Sequence, residues 1–132
     1  MTLRDGTQED YSSSAIRHFE DAITLQAAGT LDNAGHLIGF AAECAIKSKL
    51  GDLGSDGLLA HLPDLLPAAR KRLGSRAGYV GMYNLMKEDV LVGWYIDHRY
   101  APTGTLSGER LSEWVAVTRR LIAAAGIKAR RI

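Results

Sequence analysis

The stretch Leu31 to Leu50, LDNAGHLIGFAAECAIKSKL, most constrains what this chain can fold into. It contains no proline, and its apolar residues recur at helical spacing. Ala34, Leu37, Ile38, Ala41, Cys44, Ala45 and Ser48 share one face at 100° per residue. Gly35, Gly39, Ala42 and Ile46 make a second face of mostly small residues. Two glycines one turn apart cost a helix about 1 kcal/mol each against alanine. A helix that carries that cost on one face is expected to have another backbone close against it. A helix apolar on two sides belongs at the centre of a bundle.

The rest of the chain reads the same way. The serine run Ser12, Ser13, Ser14 offers caps for a first helix, whose face Ala15, Ile16, Phe19, Ala22, Ile23 and Gln26 is apolar and which Gly29 ends. Thr30 or Asp32 caps the second helix, and Gly51 to Gly57 reads as a loop. Asp64 caps a short helix with Pro67 in its first turn, running to about Arg72. A fourth helix is expected from about Tyr79 to Ile96, with Tyr83, Val90 and Trp94 on one stripe and Leu85, Val92 and Ile96 on another. After a turn at Ala101 to Gly104, Ser107 caps a last helix with the stripe Leu111, Trp114, Val115, Thr118, Leu121, Ile122 and Ala125. No segment alternates with period two. The expected fold is all-α: an antiparallel bundle of four to five helices in one domain over residues 1–132, its core about 12–125.

With 132 residues and 46% hydrophobic composition the chain can bury one core. No apolar run approaches the roughly 18 residues of a membrane span. The polar start MTLRDGTQEDYSSS and the single cysteine, Cys44, point to the cytoplasm rather than to a disulfide-stapled secreted protein. Net charge is only +1, but residues 1–66 hold ten acids and four bases while the remainder hold five and twelve. The two halves can neutralise each other inside one bundle, or the basic half can present a nucleic-acid face.

The chemistry-bearing residues are few. On the second helix His36, Glu43 and Lys47 fall within about 40° of one another on a helical wheel. They form either a solvated stripe or an inward carboxylate meeting a cation, for which Arg99 is the natural partner. Trp94, Tyr95, His98, Arg99 and Tyr100 are the densest aromatic and basic cluster. Such a mix can stack a base and hold a phosphate, or it can anchor a core or a dimer. His61 suits a cap, a packed ring or a site. The four histidines share no ligand spacing, so neither a metal nor a cofactor is expected. A phosphate-binding glycine loop and a nucleophile elbow are both missing from the sequence.

Asn33-Ala-Gly-His-Leu-Ile-Gly-Phe-Ala-Ala-Glu-Cys-Ala-Ile-Lys47 resembles the Ala-x-Tyr-Leu-Ala-x-x-Ala-x-Glu-x-Ala-x-Lys stretch of the HEPN domain. Ala15 to Leu25 is similar to that family's first helix, His61-Leu-Pro-Asp-Leu65 to its His-Asp-Leu segment, and Trp94-x-x-x-x-Arg99-Tyr100 to its Trp…Arg-Tyr. The resemblance spans roughly Ser12 to Ala125. It implies a helical bundle, commonly a homodimer, associated with nucleotides and RNA and often encoded beside a small nucleotidyltransferase in toxin–antitoxin or defence systems.

Ribonuclease members of the family place a histidine after the arginine with four to six residues between them. Here the positions after Arg99 hold Gly104, Thr105 and Leu106, and no other arginine has histidine at that spacing. RNA cleavage without a metal needs a group titrating near neutrality beside the phosphate. The resemblance therefore implies a non-catalytic domain that dimerises and binds a nucleotide, RNA or a protein near Glu43, Lys47, His61, Trp94, His98, Arg99 and Tyr100. Two other readings stand beside it: a ribonuclease toxin with a rearranged site using His98 or His61, and a purely structural module docking a nucleotidyltransferase.

Overall fold

The fold is all-helical, with no strand among the described residues. The computed structural model describes residues 3–6, 9–52, 60–74, 76–87 and 89–128. Five α-helices are described: α1 (Tyr11–Ala27), α2 (Leu31–Asp52), α3 (Leu65–Leu73), α4 (Val80–Leu85) and α5 (Gly108–Ala124). Short 3-10 turns cover Ala77–Tyr79 and Ile96–Tyr100.

The cap of α1 is Asp10, not the serine run; its carboxylate accepts the Ser13 N–H at 2.9 Å. A carboxylate also favours the positive end of the helix dipole. Ala15, Phe19 and Ala22 are its buried residues, as the periodicity requires. At its end the Thr30 N–H reaches back to the Leu25 carbonyl at 2.9 Å, and the short link folds α2 against α1 as a helical hairpin. The second helix is central, packing on α1, α3 and α5. It runs through Gly51 to Asp52, so the expected loop does not begin at Gly51. The rest of that loop, 53–57, lies outside the described residues.

On α2 the glycine face meets a side chain rather than a backbone. A Cβ at Gly39 would overlap the indole of Trp94, and one at Gly35 would overlap Leu106 and crowd Trp114. Trp94 is 2% exposed, and its Nε1 donates to the Gly35 carbonyl at 3.0 Å. Gly39 opens the slot that accepts the Trp94 indole, and Gly35 makes room for Leu106 and Trp114.

Filling that slot breaks the expected fourth helix. Tyr79 to Ile96 is not one helix: α4 stops at Leu85, where Arg70 Nε donates to the Met86 carbonyl. Leu91 and Gly93 then take φ of 53° and 86°, a left-handed backbone that turns the chain and lowers Trp94 onto α2. The β-branched Val90 and Val92 add little helix propensity to oppose this turn. On α3, Leu65, Leu66, Ala69 and Leu73 are buried; Asp64 occupies the cap position but its side chain makes no capping bond. The last helix matches its reading closely. The Ser107 hydroxyl accepts the Arg110 N–H, and the stripe from Leu111 to Ile122 is buried. No described helix is long and apolar enough to cross a membrane.

Candidate functional site

Two polar clusters grow from α2, one on either side of Phe40. The first surrounds Glu43, which is only 4% exposed. One turn along the helix, Lys47 Nζ lies 3.2 Å from its Oε2. His61 Nδ1 lies 3.0 and 3.1 Å from its two oxygens, and the Leu62 backbone N–H donates at 3.3 Å. An ionised carboxylate only accepts, so His61 donates an Nδ1–H. The stripe of His36, Glu43 and Lys47 is therefore not solvated at its centre. Glu43 does not meet Arg99; it forms an ion pair with Lys47 and a hydrogen bond with His61. The turn at Leu91 and Gly93 explains this, because it delivers Arg99 to the N-terminal half of α2, nearer His36. Cys44 beside this cluster is a poor nucleophile: burial, then the Glu43 charge, pushes its thiol up to about 11.

The second cluster lines a cleft of about 340 Å³ between α2, the segment following α4, and α5. Asp32, Asn33, Gly35 and His36 come from α2; Val92, Gly93, Trp94, His98 and Arg99 from the turn and the 3-10 segment. Ala101, Thr103, Thr105 and Leu106 form the loop wall, and Arg110 and Trp114 close it from α5. One backbone atom positions two of these. The Val92 carbonyl accepts both Trp114 Nε1 and Arg110 Nη1, each at 3.1 Å.

Asp32 is the one acid among the described lining residues, and its oxygens are already engaged. Oδ2 accepts the Gly104 N–H at 2.7 Å and Oδ1 the Leu106 N–H at 3.0 Å. Those N–H groups, Gly104 first, hold its carboxyl below the usual aspartate range. Asp32 thus ties the loop wall to α2. Its stabilising contribution is complete above the ordinary carboxylate pKa of about 3.9 and is lost as pH falls through the lower folded value. Urea denaturation between about pH 5 and pH 2 should show a shallower acid loss for Asp32→Asn than for the parent. Parallel curves would remove Asp32 from this role.

Opposite Asp32 the cleft is cationic. The Arg99 guanidinium lies 4.8 Å from the centroid of the Tyr100 ring, and His98 packs edge-on against Tyr95 at 5.6 Å. Tyr100 is 79% exposed and Tyr95 50%; neither lines the cleft, but each is in ring contact with a residue that does. Trp94 is a wall, stacked on His36 at 5.9 Å. Burial first, then the charges of Arg99 and His98, lowers the pKa of His36 and disfavours its charged form. Its Nδ1 is buried with no hydrogen-bond partner among the described residues. Phe40 joins the clusters, with its centroid 4.8 Å from that of His36, 5.9 Å from Trp94 and 6.3 Å from His61.

The seven residues singled out in the sequence therefore divide. Glu43, Lys47 and His61 form one cluster; Trp94, His98 and Arg99 belong to the cleft, with Tyr100 against Arg99. His61 and His98, weighed together as possible acid–base groups, sit in different clusters. Asp32, His36 and Arg110 were not singled out for the cleft. His36 had a faint signal, its place on the Glu43 stripe. Asp32 and Arg110 had none, because backbone groups far along the chain position them. No family model matches the chain, and no curated protein or solved structure gives a significant match.

Proposed function

We propose that this chain is a non-catalytic nucleotide- or RNA-binding helical domain of the HEPN kind, and that its ligand occupies the cleft between α2 and α5. The observation that carries the reading is the charge arrangement there. Arg99, Arg110 and His98 face a cleft whose single described acid is already held by backbone N–H groups. An anion entering it meets guanidinium donors without a competing carboxylate. Tyr100 and Tyr95 stand exposed beside those cations, as stacking surfaces for a base. A volume of about 340 Å³ suits a small ligand.

The HEPN reading rests on the order and spacing of the four resembling stretches and on the all-helical architecture; the Glu43–Arg99 contact expected within it is not formed, and that weighs against it. The homodimer, the nucleotidyltransferase partner, the toxin–antitoxin or defence setting and the cytoplasmic location are carried by that resemblance alone. Isothermal calorimetry with AMP tests the cleft. The parent protein should bind, and Arg99→Ala should weaken binding about tenfold or more, the scale of one charge-assisted contact. Equal affinity in the two proteins, or no binding heat in either, rejects the cleft.

A further inference from the structure

The cleft has one group whose state does not match its surroundings. The His36 ring lies beside Arg99 and His98, which disfavour its charged form, and its buried Nδ1 has no hydrogen-bond partner among the described residues. The groups that face it can be named element by element. Arg99 and His98 approach from the 3-10 segment, and Arg110 lines the same cleft from α5. Asp32 stands one turn earlier on α2, with its charge engaged by the loop. From α1, His18 packs on the far side of Phe40.

Resting on the cleft reading above, we infer that the cleft takes a phosphate monoester as its dianion together with one proton, and that His36 receives the proton. A phosphodiester carries one charge, whereas a monoester carries close to two at neutral pH. Two guanidiniums, Arg99 and Arg110, match the second case. A dianion held by them offsets the field of Arg99 and His98 at His36 and sets an opposite charge against the burial that also disfavours a charged imidazole there. A proton from solvent then adds to the His36 ring, and the vacant nitrogen becomes a second N–H donor. Stacking on Trp94 keeps the ring in place through the change. By linkage, anion affinity rises as pH falls toward the ordinary imidazole range.

Calorimetry at pH 7.0 in two buffers of different ionisation heat measures the proton uptake. The probes are AMP, the dinucleoside monophosphate ApA, and adenosine, applied to the parent, His36→Asn and His98→Asn. Subtracting the His36→Asn value removes the phosphate's own titration. The expected uptake by the protein is roughly a quarter of a proton per AMP or more, since an imidazole restored to its ordinary pKa of about 6.5 is about one-quarter protonated at pH 7.0. It should vanish in His36→Asn and persist in His98→Asn, and AMP should bind at least about tenfold tighter than ApA. His36→Gln repeats the measurement if His36→Asn melts early.

AMP binding without uptake, uptake that follows His98 instead, or ApA binding as tightly as AMP each overturns this inference while leaving the cleft reading standing. Failure of AMP to bind the parent, or equal binding in Arg99→Ala, overturns both.

Discussion

Gly39→Ala should remove most of the stability of this domain. A methyl group there overlaps the Trp94 indole, which is 2% exposed and cannot retreat without leaving the core. Expelling a buried tryptophan forfeits about 3–5 kcal/mol, a large part of the 5–15 kcal/mol typical of a domain. The indole bond to the Gly35 carbonyl would go with it. Chemical denaturation with tryptophan fluorescence measures the loss. A second arm makes the cause specific: Trp94→Leu alone should be costly, but Gly39→Ala should add little on that background. Full additivity of the two would mean that the glycine matters for some reason other than the ring.

Glu43→Ala is the other large effect. It would leave Lys47, 8% exposed, without its carboxylate, and strip acceptors from His61 and the Leu62 N–H. Removing one member of a buried pair costs about 3–5 kcal/mol, because the remaining charge stays uncompensated. Glu43→Ala with Lys47→Met should recover part of that loss, since an apolar pair of similar bulk is tolerated in such places. Arg99→Ala, by contrast, should change stability by less than about 0.5 kcal/mol, as is usual for an exposed side chain. Urea midpoints of these variants decide the matter. A Glu43→Ala protein as stable as the parent would show that the carboxylate is not buried as described.

Helical content was legible because it is local. The stripes of α1, α3 and α5 depend on residues three and four apart, and each element lies close to where periodicity placed it. The fourth helix was misread for a physical reason. Its apolar residues do fall at helical spacing, but Trp94 is worth more in the slot on α2 than in a continued helix, and periodicity says nothing about a distant slot. The glycine pair pointed to a close approach, but side chains of Trp94, Leu106 and Trp114 fill it, not the backbone expected there. Lys47 and Glu43 could be paired from sequence because they sit one turn apart. His61 could not, since its place beside Glu43 depends on how α3 docks. The cleft was the least legible part, being built largely from main-chain acceptors and donors that no residue type advertises.

That last property has a consequence at position 92. The oxygen that holds Arg110 and Trp114 belongs to the peptide unit of Val92, whose own side chain is 57% exposed. Every amino acid supplies the same oxygen. The residue type at this place can therefore drift freely while the joint between α5 and the preceding segment persists. An alanine scan across 92 would return a silent result at one of the most connected points of the molecule, and only a change in the local chain path would expose its role.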